Sequence, residues 1–217
     1  MGHSTEKSSA DVLTVLANEK DPDLGEATQL AITDGETLKE MLKGIVSKQD
    51  VYRYNCFKVL LQISEKEPLC LYPEWDYFVA LIGSENSYHR SASLRIIANL
   101  TSVDTERRLD NIFDQYFDLL DDESVISARY LAGSAAAIAK SKPYLQTRIT
   151  KRLLNIDNTH HKEGRKDLIK GDVIQTFEAF FEESQHKEEI QAFVEGQLES
   201  SSPRTRKIAN AFLRKHA

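Results

Sequence analysis

Residues 37–57 read TLKEMLKGIVSKQDVYRYNCF, and residues 74–94, which begin 37 positions later, read EWDYFVALIGSENSYHRSASL. Few letters are shared, but apolar residues fall in the same places, and segments starting at 111 and 148 keep the register. A fixed period of this size is typical of stacked supersecondary units, none of which can bury its apolar face alone. The chain is therefore predicted to be a repeat protein. Four columns of apolar residues form its predicted core: Leu38, Trp75, Ile112 and Ile149; Leu42, Val79, Tyr116 and Leu153; Ile45, Ile82, Leu119 and Ile156; Phe57, Leu94, Leu131 and Leu168.

Each unit is predicted to contain two helices. In the first helix, Leu38, Leu42 and Ile45 are spaced by four and then three residues, which places them on one helical stripe. No segment alternates apolar and polar residues over a useful length, so no strands are predicted. The predicted fold is all-α, with one domain that follows a disordered segment. The predicted ranges are 1–9 for the disordered segment, 10–217 for the domain, 10–34 for an N-terminal helical pair, and 36–66, 73–103, 107–141, 143–184 and 186–216 for the repeats.

Polar residues before the second helices recur with the same period. Asp50, Ser87 and Ser124 are 37 residues apart and are predicted to cap these helices, because their side-chain oxygens accept bonds from N–H groups of the first turn. Ser202, which precedes a proline, is the predicted cap of the last helix. The columns of the last unit arrive three or four residues late, and the irregular stretch 157–164 is the predicted place of this insertion.

Two of the second helices resemble a known type of repeat. Tyr88–Leu100 (YHRSASLRIIANL) and Pro203–Leu213 (PRTRKIANAFL) each place a basic residue before an apolar stripe with small residues. Together with the two-helix unit, these segments make residues 36–216 similar to the HEAT and armadillo superfamily of α-solenoids. The resemblance implies a right-handed α-α superhelix whose second helices line a concave side, and a role as a scaffold or adaptor. Some similar folds act on DNA bases, so the resemblance favours binding without excluding catalysis.

The second helices carry two short rows of cations on their non-core face. Arg53 and Arg90 are 37 residues apart, as are Lys58 and Arg95. Guanidinium groups bind carboxylates and phosphates through paired hydrogen bonds, so these residues are candidates for binding an acidic segment of a partner. The alternative is that they form salt bridges between repeats. A nearby run of small residues, Ala132–Ala139, permits the close approach of a neighbouring helix or of a ligand.

A cluster of basic residues in the fourth predicted repeat, called the basic island, lies between acidic stretches at 104–123 and 172–199. An acidic protein partner, nucleic acid and ordinary solvated helix surface are three explanations of such a cluster. The net charge of −6 argues against a surface built to coat nucleic acid, because phosphate binding needs clustered cations. The island contributes six further candidate partner-binding residues: Arg148, Lys151, Arg152, Lys162, Arg165 and Lys166.

Signals for catalysis, a metal or a cofactor are weak. The side chains of the adjacent His160 and His161 are expected to diverge on a helix, and no motif of spaced histidines or cysteines completes a metal site. Neither a metal nor a cofactor is predicted, and the chain is predicted not to be an enzyme. Cys56 and Cys70 are too few for a disulfide framework and are expected to be buried or half-buried on helices. Trp75 belongs to a core column, so its expected role is structural.

These observations predict a cytoplasmic, non-enzymatic scaffold that presents a concave repeat surface to an acidic protein or peptide segment. The alternative is a nucleic-acid-binding or DNA-base-repair protein of the HEAT-like glycosylase type. A subunit whose acidic stretches dock into a larger assembly is a third interpretation. No apolar run approaches the roughly 20 residues that cross a bilayer, so no membrane association is expected.

Overall fold

The structure, a computed structural model, describes residues 8–216 and contains thirteen α-helices within them. No β-strand occurs in this range, so the predicted all-α class is confirmed. The helices are α1 (Ser9–Asn18), α2 (Gly25–Thr33), α3 (Gly35–Gly44), α4 (Asp50–Lys66), α5 (Pro68–Leu71), α6 (Trp75–Ile82), α7 (Ser87–Leu100), α8 (Arg108–Phe117), α9 (Val125–Ser141), α10 (Gln146–Leu154), α11 (Glu163–Glu178), α12 (Lys187–Glu195) and α13 (Pro203–Lys215).

The predicted helical pairs correspond to α1–α2, α3–α4, α6–α7, α8–α9, α10–α11 and α12–α13. Of the segment predicted to be disordered, residues 1–7 lie outside the described range. Ser8 is the N-cap of α1, where its hydroxyl and the carboxylate of Asp11 form a capping box. This reciprocal bonding satisfies N–H groups of the first turn and therefore favours the start of α1 at Ser9.

The chain divides into two compact units, one that ends at Asp76 and one that begins at Tyr77. Each is described by itself below, as unit 1 (described residues 8–76) and unit 2 (described residues 77–216). A single elongated domain wound into a right-handed superhelix stays a prediction.

In unit 1, α4 packs against α1, α2 and α3. The buried amide of Asn55 donates to the carbonyl oxygens of Leu16 (2.9 Å) and Glu19 (2.8 Å), which satisfies the end of α1. A Cβ added at Gly44 would lie 2.2 Å from Sγ of Cys56, so glycine is needed where α3 meets α4. Cys56 is buried and Cys70 is half-buried, as predicted.

In unit 2 the second helices form a row, in which α9 lies between α7 and α11, and α11 lies between α9 and α13. Polar side chains join neighbours in this row at separations close to the sequence period. Ser91 and Ser127 share a 3.2 Å hydrogen bond between α7 and α9. The hydroxyl of Thr176 donates to the carbonyl of Ala132 at 2.5 Å, which joins α11 to α9. A groove that forms the candidate functional site opens on this row of helices.

The four apolar columns lie in the interior, as the period predicts. Six of their sixteen members are half-buried and the other ten are buried. Trp75 is 1% exposed, in agreement with its expected structural role. The half-buried members are Leu38, Phe57, Val79, Ile112, Leu119 and Leu168.

The predicted caps agree only in part with the structure. Ser202 caps α13 by accepting a bond from the N–H of Thr205. Asp50 and Ser87 are the first residues of their helices, so the prediction was wrong for both; the N-cap residues are Gln49 and Asn86. Ser124 is the N-cap of α9 but its side chain makes no capping bond. The period alone places the caps in the right turn but misses the register by one residue at Asp50 and Ser87.

The predicted place of the insertion, 157–164, was also wrong. Only residues 142–145 separate α9 from α10, whereas residues 179–186 separate α11 from α12. The four additional residues therefore lie in the connection between α11 and α12. Leu168, still in register with Leu131, shows that the shift occurs after it. Across the described residues, none of the helices has the length and apolar character that crossing a membrane requires.

Candidate functional site

A groove of about 520 Å³ opens on the row of second helices in unit 2. It runs along α9, with α7 on one side and α11 on the other. Its lining combines cations, an aromatic ring and an exposed aliphatic side chain. The lining residues are Arg95 from α7; Ile126, Arg129, Tyr130, Gly133 and Ser134 from α9; and Asp172 from α11.

The apolar part of the groove is a stripe on the outward face of α9. Ile126 and Tyr130 are four residues apart, so they share one side of the helix, and they are 56% and 41% exposed. The guanidinium of Arg95 lies 5.3 Å from the centre of the Tyr130 ring. Gly133 continues the stripe, and a Cβ added there would meet nothing within 4 Å. The groove therefore offers apolar surface beside open space.

The polar part of the groove centres on the buried carboxylate of Asp172. Nε of Arg129 donates to it at 2.7 Å, and Nη2 of Arg204 lies 2.8 Å from its other oxygen. The hydrogen bond to Asp172 raises the pKa of Arg129, so this guanidinium stays charged. Nη1 of Arg129 forms no hydrogen bond within residues 8–216 and is not buried. These N–H groups remain available to an acceptor in the groove.

The small-residue run Ala132–Ala139 packs against neighbouring helices, which is one of its two predicted uses. Ala132, Ala135 and Ala139 are buried between helices. Gly133, one position along, is exposed and opens the groove. The buried alanines and the exposed Gly133 therefore lie on different faces of the same helical segment, and the approach of a ligand stays a prediction.

The guanidinium groups of Arg53 and Arg90 bond to loop carbonyls and do not line the groove. Nη1 of Arg53 donates to the carbonyl of Ser47 at 2.9 Å, and Nη1 of Arg90 donates to that of Ser84 at 2.6 Å. Arg206 repeats this bond with Ser200 at 2.5 Å. In each case the arginine holds the carbonyl six residues earlier, in the loop that enters its helix. Each of these arginines follows a serine by six positions, with the serines at 47, 84 and 200, so the sequence contains a signal for these loop bonds that was not used in the prediction.

Arg90 also forms a paired contact with Asp122, at 2.6 Å and 2.8 Å, and both side chains are largely buried. This is the second of the two predicted alternatives, in which the arginine holds neighbouring repeats together. In unit 1, Lys58 lies 3.3 Å from Asp21 and 4.9 Å from the ring centre of Tyr54. Of the four residues in the two rows, Arg95 is the one that lines the groove.

Two of the six predicted residues of the basic island contact the acidic stretch of the preceding helical pair, and a third pairs within its own helix. Arg148 contacts Asp114 at 2.8 Å, and Arg152 contacts Asp118. Lys166 is held by Glu163 at 3.1 Å. These contacts neutralise Arg148, Arg152 and Lys166 locally. Within the described part of the chain, the exposed residues Lys151, Lys162 and Arg165 form no ion pair.

His160 and His161 do not diverge as expected, because they lie in the turn before α11 and not on a helix. Their ring centres are 4.5 Å apart. The carboxylate of Asp121 accepts from the backbone N–H of His160 at 2.7 Å and lies 2.5 Å from its Nδ1. The structure thus brings together three groups that the sequence separates by up to 40 positions.

Comparisons with known proteins add little to this description. No family model matches the chain, and no curated protein shows significant similarity to it. Among solved structures, the crystal structure of an engineered protein from the Northeast Structural Genomics Consortium is similar, with a TM-score of 0.48 and 13% sequence identity over 96% of each chain.

Proposed function

We propose that this protein is a non-enzymatic scaffold built from HEAT-like repeats, and that the groove along α9 binds an acidic peptide segment of a protein partner. The observation that carries the proposal is the juxtaposition of Arg95, Arg129 and the exposed Tyr130 around the open space at Gly133. Arg53, Lys58 and Arg90 are not part of this proposed site, because each contacts a carbonyl or carboxylate group elsewhere in the fold.

The charge of the groove supports an acidic ligand. Two arginines, Arg95 and Arg129, stand against the single carboxylate of Asp172, which Arg204 also contacts. A carboxylate of the partner would accept from Nη1 of Arg129 without displacing Asp172. Such a charge-assisted bond is shorter and stronger than one between neutral groups.

The apolar stripe supports a peptide over a small anion. Ile126 and Tyr130 provide surface for a side chain of the partner, and Tyr is enriched at the centres of protein interfaces. A helix face with anchors four residues apart suits a segment that lies along α9. The proposed ligand is therefore an acidic segment that also carries an apolar or aromatic residue.

The contacts of the basic island favour this function over the nucleic-acid alternative. That alternative depends on clustered cations that are free to meet phosphates. Only part of the basic island meets this requirement, because Arg148 and Arg152 pair with Asp114 and Asp118. The carboxylates lie beside the cations and would repel a phosphate backbone.

Selection from a phage library of random 12-residue peptides tests the proposal, with parallel selections on the natural chain, Gly133→Ala and Gly133→Glu. The Glu side chain at position 133 has room to enter the groove, where its charge opposes an acidic ligand. We expect acidic peptides to be enriched on the natural chain and on Gly133→Ala, and to bind Gly133→Glu at least tenfold more weakly. Enrichment that survives Gly133→Glu unchanged, or the absence of any enrichment, contradicts the proposal. Circular dichroism establishes that both variants are folded.

A further inference from the structure

A cluster of Asp121, His160 and His161 lies outside the groove and is not used by the proposed function. One ligand atom from each of the three residues lies within 4.8 Å of the other two. Two imidazoles and a carboxylate are the donor set of many zinc sites, and three protein ligands leave the fourth tetrahedral position to water. In a tetrahedral zinc site, Zn–N and Zn–O bonds of about 2.0–2.2 Å fix how far apart the ligand atoms lie. The donor atoms of this cluster are within about 1–2 Å of that separation.

The hydrogen bond of His161 fixes which of its nitrogens can bind a metal. Nε2 lies 3.1 Å from the carbonyl oxygen of Leu120. A carbonyl can only accept, so Nε2 carries the proton and the neutral ring keeps its lone pair on Nδ1. The ring makes no other hydrogen bond within residues 8–216. Metal-binding histidines usually donate their second N–H to a carbonyl or a carboxylate, which orients the ring.

The carboxylate of Asp121 is also prepared for a cation. Its Oδ1 atom accepts from the backbone N–H of His160 and contacts the ring of the same residue. Its Oδ2 atom makes no hydrogen bond to a described residue. Oδ2 is therefore the Asp121 oxygen that a metal ion could bind without displacing these contacts.

The positions of the three residues in the chain give such a site a structural role. Asp121 ends the short 3₁₀ helix Asp118–Asp121 that follows α8, whereas His160 and His161 lie in the turn that precedes α11. A metal ion would therefore join two consecutive helical pairs of unit 2. Structural zinc stabilises a fold because it binds the folded chain and not the unfolded one.

We propose that Asp121, His160 and His161 form a binding site for Zn²⁺ that links α8–α9 to α10–α11. Coordination by Nδ1 of His161 leaves its bond to Leu120 in place.

The test is isothermal titration of the metal-free full chain with ZnCl₂ at pH 7.5, together with the melting temperature at each zinc concentration. The variant His160→Gln changes an exposed ligand and leaves the buried His161 in place. His186→Gln is the matched control, because His186 contacts Glu189 at 2.8 Å in a histidine–carboxylate pair that has no third ligand within the described residues. Co²⁺ replaces Zn²⁺ for visible spectroscopy, and Mg²⁺ serves as a hard-cation control.

We expect one zinc ion per chain, a melting temperature that rises with zinc, and tetrahedral absorption bands with Co²⁺. His160→Gln should weaken binding by at least about tenfold, as disturbed zinc sites commonly do, and His186→Gln and the response to Mg²⁺ should show no such effects. The proposal is overturned if the natural chain fails to bind zinc up to millimolar concentration, or if His160→Gln binds as tightly as the natural chain.

Discussion

Arg90 and Asp122 form a pair whose removal should cost stability, because their side chains are only 13% and 4% exposed. Arg90→Ala leaves the carboxylate of Asp122 buried without its cation, a change that costs several kcal/mol in fully buried pairs. We predict a loss of about 2–3 kcal/mol in the free energy of unfolding, since the pair is not completely buried. Urea denaturation measures it, with the exposed Lys151→Ala as a control that should change stability by less than about 0.5 kcal/mol. Equal stabilities of the two variants would show that Arg90 is not a structural residue.

The two cysteines should differ sharply in reactivity. Cys56 is fully buried, and burial raises the pKa of its thiol to about 12. Because the thiolate is the reactive form, Cys56 should remain unmodified by a thiol reagent at pH 8 until the chain unfolds. Cys70 is half-buried and should be modified first. In the variant Cys70→Ser, rapid stoichiometric modification of the native protein would contradict this assignment.

At the scale of elements, two glycines within helices should respond in opposite ways to the same substitution. A Cβ at Gly171 would lie 2.7 Å from Oγ1 of Thr205, which is itself held by the carbonyl of Asp167 at 2.6 Å. Gly171→Ala should therefore push α13 from α11 and destabilise the protein by about 1–3 kcal/mol. Gly133→Ala meets no such contact and should stabilise α9 by about 0.5–1 kcal/mol. Thermal and urea unfolding of both variants measure the difference, and a stabilising Gly171→Ala would refute the close approach of the two helices.

The cap of α3 should contribute to stability in a pH-dependent way. The side-chain hydroxyl and then the backbone N–H of Thr37 bond to Asp34 and lower its pKa. A carboxyl whose pKa is lower in the folded state stabilises the fold above its ordinary pKa and loses this contribution as the pH falls. Asp34→Asn keeps a good cap residue without a titrating group. The melting temperature of the natural chain should exceed that of the variant at pH 6, and the difference should shrink between pH 4 and pH 2; a constant difference would contradict the prediction.

For the whole molecule, the apolar period predicted the helical pairs and the core because burial imposes one requirement on every repeat. The columns that contain Trp75 and Leu94 are buried or half-buried throughout. Caps and the insertion were less predictable, since loops satisfy their hydrogen bonds locally and in several ways. Gln49 and Asn86 are the N-cap residues of their helices, whereas the period indicated the residues that follow them.

The candidate site was predicted only in part, because local charge does not show what faces it in the fold. Arg148 and Arg152 belong to a basic island, yet each contacts an acidic residue 34 positions earlier. Arg129 was overlooked because its partner Asp172 lies 43 positions later, away from the period of the columns. The available signal for the groove was the pair Ile126 and Tyr130, which lie exposed on one stripe of α9.

The most direct test of the peptide-binding claim is an NMR titration of the ¹⁵N-labelled chain with an acidic peptide from the phage selection. We predict that the amide resonances of Arg95 and of residues 126–134 on α9 shift in a saturable manner, and that Gly133→Glu abolishes these shifts. Shifts confined to unit 1 or to the basic island around Lys151, with α9 unaffected, would show that the groove is not the binding site.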